Sequence, residues 1–287
     1  MERPTWYGNG AKALTVLLIS LVVIYPFLVV VSTSLSSESD IIRAGGLVTW
    51  PSHPTLAAYR VVFSGGVVTK ALVISLGVTV IGTLLSLLAT VGMAYGLSRN
   101  GVVGGRFLLL MALFTMLFSP GIIPNFLVVK QLGLLGSLSA LVLPTLVSAF
   151  NLVVLRSFFM GLPQELYDSA RVDGAGDFRI LTRLVLPLSK GVIAVVSLFY
   201  AVGYWNAFFN AMLYLNDSAK WPLALVLRVF VTQGDSMSSS ASLGDGAIPS
   251  QAIQMAVVVT SLVPILLVYP FLQRFFSKGV LSGAIKG

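Results

Sequence analysis

Apolar positions in this chain run on without interruption instead of alternating or recurring at helical spacing. Six stretches stand out: 13–32, 71–97, 107–129, 135–155, 191–215 and 252–273, none of which contains Asp or Glu. Crossing a bilayer takes about 20 mostly apolar residues. In lipid the backbone must satisfy its own hydrogen bonds, so each stretch is predicted to be a helix. Apolar character on every face separates them from surface helices, which are greasy on one side only. Gly77, Gly82, Gly92 and Gly96 are expected to let the second span approach a neighbour closely. Pro120, Gly121 and Pro124 predict a kink or break in the third. The first stretch exceeds the apolar core of a secretion signal and no A-x-A site follows, so it is expected to remain as a span.

Composition agrees with this pattern. Apolar residues make up 56% of 287 and charged residues 10%, with a mean hydropathy of +0.94. Soluble domains carry about 25% charge. A soluble globular enzyme and a disordered chain are both excluded, and an all-α, multi-pass membrane protein remains. The net charge is +8. The basic residues are scattered and read as loop charge, not as a nucleic-acid surface. Apart from Arg43, Arg60, Lys70, Lys130, Lys220 and Arg228, all Lys and Arg fall on the side that holds both termini. The excess of positive charge makes that side cytoplasmic. Two longer segments, 33–70 and 216–251, then face outside. The second contains the serine-rich stretch Ser236 to Ser242 and is expected to begin with an amphipathic helix around Leu223–Val231.

Absent chemistry narrows the function. There is no Cys, and the single histidine, His53, cannot make a zinc site or a histidine relay alone, so no metal site is expected. All ten carboxylates lie in loops or at the N-terminus. Ion-driven carriers place ionisable residues inside the bundle, which counts against a self-sufficient secondary carrier or channel for small polar solutes. An intramembrane serine protease needs a base at the depth of its serine, and none is present. A metal-dependent phospholipid transferase needs aspartates on facing helices, whereas Asp168, Asp173 and Asp177 share one loop. No G-x-x-x-x-G-K-[ST] phosphate loop occurs.

The longest cytoplasmic connection, 156–190, is patterned too closely to be a simple connector. Pro163 suits a first helical turn, and Glu165 faces a helix N-terminus favourably. Leu166 and Ala170 share a face, and Asp168 and Arg171 are spaced to pair. Gly174 is expected to end this helix and Asp177 to cap a second. Phe178, Leu181, Leu184 and Val185 would form one face of the second helix, and Pro187 would stop it. Between Glu165 and Arg183 four acids stand against three arginines. That balance speaks against attraction to anionic lipid and for a protein-docking knob.

Asp168-Ser169-Ala170, Gly174 after three residues, and Leu184-x-Leu186-Pro187 after nine more resemble the E-A-A-x3-G-x9-I-x-L-P signature. It marks permease subunits of binding-protein-dependent ABC importers. Asp, Ser and Leu stand where the signature has Glu, Ala and Ile. Pro163-x-Glu165-Leu166 with Asp173-Gly174-Ala175 is similar to the carbohydrate branch, which includes the smaller maltose-importer permease. Trp50-Pro51, Ala94-Tyr95 with Ser98-Arg99, Leu143-Pro144, Asn151, Trp205-Asn206 and the ending Gly283 to Gly287 continue the likeness over nearly the whole chain. Phe118-Ser119-Pro120-Gly121-Ile122-Ile123-Pro124-Asn125 is similar to a subgroup linked with plant-wall and uronic-acid oligosaccharides.

The resemblance implies a single permease domain over 1–287 with six transmembrane helices, the type I importer fold and both termini cytoplasmic. It implies a non-catalytic subunit of the bacterial cytoplasmic membrane that binds no cofactor, with ATP and Mg2+ held by two partner ATPase subunits. A second, related permease would complete the path, and an extracellular solute-binding protein would deliver an oligosaccharide. The coupling helix in 163–187 would seat in the ATPase through Glu165, Leu166, Asp168, Ser169, Ala170, Asp173, Gly174, Ala175 and Pro187. Lys286 and Gly287 of the tail would touch the ATPases.

Sugar sites pair aromatic faces with amides and hydroxyls. The fifth stretch offers Tyr200, Tyr204, Trp205, Asn206, Phe208 and Asn210, and the fourth offers Asn151. Tyr200, Tyr204 and Phe208 recur every four residues, the spacing of one helical face. Ordinary helix packing with interhelical amide bonds accounts for the same residues equally well.

Overall fold

The computed structural model describes residues 6–64, 66–99, 101–233 and 250–284. They are helical with no strand among them. The tail residues Lys286 and Gly287 and the serine-rich stretch Ser236 to Ser242 lie outside them. The chain divides into two units, one from residues 1–70 and 226–264, the other from 71–225 and 265–287.

In the first unit α1 (Trp6–Ser34) carries the first apolar stretch. From Leu14 to Leu28 its large apolar side chains are exposed on every face, a surface that only lipid or another apolar partner can cover. From Ser32 to Ser34 the helix is polar and buried. Thr33 Oγ1 accepts from the Val48 N–H at 2.9 Å, and Ser34 Oγ meets Tyr59 Oη at 2.8 Å. These bonds fix the segment that carries α2 (Glu38–Arg43) and α3 (Ala57–Phe63). Ser37 caps α2 by accepting from the Asp40 N–H. The buried Asp40 accepts the His53 N–H at 2.9 Å, and this bond holds its carboxyl below the usual carboxylate range.

The second unit holds α4 (Val67–Ser98) beyond its first turn, then α5 (Gly105–Leu117), α6 (Ile122–Gln131), α7 (Ser139–Val142) and α8 (Ala149–Met160). The long connection 156–190 contains α9 (Gln164–Val172), α10 (Asp177–Ile180), a π turn (Leu181–Val185) and α11 (Leu186–Leu188). Then come α12 (Lys190–Trp205) and α13 (Phe208–Tyr214). Like α4, the helices α14 (Leu223–Gln233) and α15 (Ser250–Ala284) are divided between the units.

Among the described residues three helices are long and apolar enough to cross a membrane: Lys12–Ser34, Val67–Ser98 and Gln251–Pro270. The number reaches five if each of two bent pairs is one span. The breaks have local causes. Between α5 and α6 the backbone leaves the helix at Phe118, and Gly121 takes φ +83°, open only to glycine without strain. This is the break expected at Pro120-Gly121, and it leaves neither half long enough to span. The pair Ser139–Thr145 and Ala149–Met160 bends by 51°, with Ser148 capping α8 through the Asn151 N–H. Asp177–Leu188 meets Lys190–Trp205 at 85° around Ser189.

Three expectations need correction here. Pro187 does not stop its helix, which runs on to Leu188. Pro187 has no N–H, and ahead of it the turn widens, the Leu186 N–H bonding Leu181 O. The fifth stretch is not one helix, since the Asn206 amide donates to Val202 O at 2.9 Å and the chain breaks at Asn206–Ala207. Of the four glycines on α4, only Gly82 supports a close approach: a Cβ there would lie 2.9 Å from the Tyr204 ring, while at Gly77, Gly92 and Gly96 it meets nothing within 4 Å.

Candidate functional site

Two places in the second unit hold the candidate residues. The first is the loop around α9 and α10. Pro163 stands just before α9, at the capping position, and Glu165 follows in the first turn. At the other end Gly174 takes φ +74°. Its N–H bonds Arg171 O at 3.0 Å, and the Ala175 N–H reaches back to Ala170 O at 2.9 Å. This pair of bonds is the Schellman closure, which needs a left-handed residue at that point. Gly176, not Asp177, is the capping residue of α10, and Asp177 begins the helix without a side-chain cap. The Asp177 carboxylate faces elsewhere, 3.3 Å from Tyr95 Oη and 3.9 Å from Arg171 Nη2. Asp168 and Arg171 do not pair: Asp168 accepts from Gln164 Nε2 at 3.1 Å.

Glu165, Asp168, Ser169, Asp173, Gly174 and Pro187 are exposed, and Ala170 and Ala175 half-buried. Leu166, on the face it shares with Ala170, is exposed as well. Tyr167 is buried instead, with Oη donating to Phe159 O at 3.2 Å. Burial pushes its phenol up from the ordinary value, opposed in part by the nearby Arg99. On the second helix Ile180 and Val185 are buried, while Phe178, expected to share a face with Val185, is 80% exposed. Val172 is 87% exposed. Apolar side chains thus stand outward on both arms of a loop whose turn is closed by two backbone hydrogen bonds.

The second place is a cavity of about 380 Å³. It brings together Asn151, Tyr200, Tyr204 and Asn210, with Thr145, Ser148, Phe150 and Phe199 also in its wall. No Lys, Arg, Asp or Glu lines it. Asn151 is 4% exposed. The two tyrosines are tied to α4: Tyr200 Oη meets Thr90 Oγ1 and Tyr204 Oη meets Ser86 Oγ, both at 2.7 Å. Tyr200 Oη also accepts the Ser148 N–H at 2.9 Å, so one hydroxyl joins α12, α4 and the start of α8. Trp205, Asn206 and Phe208 do not line this cavity. Trp205 is buried, Asn206 is exposed with its amide used on Val202 O, and Phe208 packs edge-on to Phe209 beyond the break. The wall residues Thr145, Ser148 and Phe150, which lie at the 51° bend, and Phe199 of α12 were not anticipated.

A family model described as "Binding-protein-dependent transport system inner membrane component" matches residues 82–282. The chain belongs to this family. Among its relatives, the polygalacturonan/rhamnogalacturonan transport system permease protein YtcP of Bacillus subtilis (strain 168) is 46% identical over 273 residues, 94% of this chain and 95% of that protein. Protein LplC of the same organism is 44% identical over 280 residues, 97% and 92% of the two chains. A solved bacterial ABC transporter involved in the import of the acidic polysaccharide alginate contains a chain of similar structure, with TM-score 0.89, 29% identity and coverage of 96% and 99%. The family is one of membrane-embedded transport permeases, so the chain is a transport component, as the signature in 163–187 implied.

Proposed function

We propose that this chain is a transmembrane permease subunit of an ATP-driven importer of oligosaccharides in the bacterial cytoplasmic membrane. It forms half of the translocation path beside a second, related permease. Two ATPase subunits hold ATP and Mg2+, and an extracellular solute-binding protein delivers the sugar. Counting α5 with α6 and each bent pair as single crossings gives six, with both termini cytoplasmic by the distribution of Lys and Arg. The observation that carries this reading is the loop: exposed Leu166, Val172 and Phe178 on helices held by the Gly174 turn, with a charge balance unsuited to lipid. A groove on an ATPase covers such a surface. The relatives' names support a polysaccharide-derived substrate.

Asn151, Tyr200, Tyr204 and Asn210 are the proposed substrate-facing residues; Trp205, Asn206 and Phe208, which do not line the cavity, are not among them. An uncharged wall of aromatic rings, amides and hydroxyls matches the apolar faces and polar edges of a sugar ring. Reconstitution of the chain with its partner permease, ATPases and binding protein tests the reading. Uptake of labelled oligogalacturonides is expected to require ATP and both permeases. Uptake by this chain alone, without ATPase, contradicts it.

A further inference from the structure

Where the loop meets the end of α4, one guanidinium is held by aromatic faces and by no carboxylate among the described residues. Arg99 Cζ lies 3.7 Å from the centroid of the Tyr167 ring and 4.5 Å from that of Tyr95. Its Nη2 donates to Tyr95 Oη at 2.6 Å, and its Nε is buried without a hydrogen-bond partner. Each ring is anchored to a different part of the loop's surroundings. Tyr167 belongs to α9 and bonds Phe159 O near the end of α8. Tyr95 belongs to α4, and its hydroxyl donates to Asp177 O, 3.2 Å away at the start of α10. A separate bond from Arg156 Nε to Leu97 O, 2.9 Å, ties α8 to the same end of α4. A polar cavity of about 140 Å³ adjoins the stack, lined by Ser98, Arg99, Gln164, Tyr167 and Arg171 among others, and gives these side chains room to shift.

We propose that Arg99, stacked between Tyr95 and Tyr167, is the joint through which a displacement of α9 reaches the long helix α4. It is a positioning residue for the transport step and rests on the reading of this loop as the ATPase-docking surface. The chemistry suits a joint. A flat guanidinium attracts an aromatic face over a range of offsets, so the rings can slide and tilt without breaking a directional ion pair. Tyr167 is also the buried residue of α9, whose neighbours Leu166 and Val172 stand outward for a partner. A push on the outer face of α9 therefore arrives at α4 through this ring.

The test uses the full transporter in proteoliposomes, with Arg99→Ala, Arg99→Lys, Tyr167→Leu and Tyr167→Phe. Three quantities are read: ATPase co-purification, ATP hydrolysis, and sugar moved per ATP. Arg99→Ala and Tyr167→Leu are expected to assemble and to hydrolyse ATP near the unsubstituted rate. Sugar moved per ATP falls by about tenfold, the change that ~1.4 kcal/mol represents. Arg99→Lys keeps the charge over the rings and recovers part of the ratio, and Tyr167→Phe, which keeps the ring, recovers most of it. The double variant Arg99→Ala/Tyr167→Leu is expected to be no worse than either single one. An unchanged ratio in Arg99→Ala, a parallel loss of hydrolysis and transport, or additive losses in the double variant overturns the joint. Failure of the unsubstituted chain to co-purify with any ATPase overturns instead the docking reading on which the joint rests.

Discussion

Replacing Gly174 isolates one backbone angle. Gly174 holds φ +74°, and a Cβ added there meets nothing within 4 Å. Alanine therefore adds strain without a clash. The left-handed conformation costs a non-glycine residue roughly 1–2 kcal/mol. A two-state loop closed by this turn then loses a factor of about 5–30 in the closed form over the open one. Asparagine tolerates the left-handed region better than alanine and should lose less. Proline is worst, since its φ is locked near −65° and it removes the N–H that bonds Arg171 O at 3.0 Å. The expected order of ATP-driven uptake is Gly, Asn, Ala, Pro, with membrane insertion unchanged throughout. The assay is initial uptake rate in vesicles at matched membrane content. Alanine equal to glycine, or asparagine worse than alanine, refutes the claim that the turn geometry matters.

Other consequences are equally direct. Gly82→Ala forces a methyl against the Tyr204 ring, itself held by Ser86, and should destabilise the chain in detergent by ~1–3 kcal/mol; Gly92→Ala, facing open space, should show no such loss in thermal melting. Asn151→Leu removes a buried amide from the cavity wall and should lower sugar uptake about tenfold, one lost hydrogen bond, whereas Asn206→Ala should leave uptake near normal. Asp40 has a folded-state pKa below its unfolded one, with the His53 N–H the largest cause, so its stabilising effect is complete above the ordinary carboxylate pKa and is lost as pH falls through the lowered value. Acid titration of protease resistance in the 33–70 segment should show this loss, and Asp40→Asn should abolish that pH dependence.

The helical, apolar character of the chain was legible because lipid imposes apolarity on every crossing, and three of the six stretches carry helices long enough to cross. The Pro120-Gly121 break was legible because those residues carry their backbone preference with them. The Gly174 turn was visible for the same reason. Other features depend on partners distant in sequence. Glycine spacing on α4 could not single out Gly82, because close approach is decided by where Tyr204 arrives. The break at Asn206 interrupts an apolar run with no Pro, and it removed Phe208 from the face of Tyr200 and Tyr204. Tyr167 stands among polar residues in a short helix, and nothing local assigns it to Arg99. Phe178 was placed on one face with Val185 by periodicity, but the π turn that follows shifts the register and sets Ile180, not Phe178, inside with Val185.

The most direct measurement is site-specific crosslinking in native membranes. A photoreactive residue at Phe178 or Ala170 is expected to capture a nucleotide-hydrolysing subunit, while one at the exposed Leu21 of α1 captures none. Capture of lipid alone from the loop positions, with no ATPase in any product, contradicts the account.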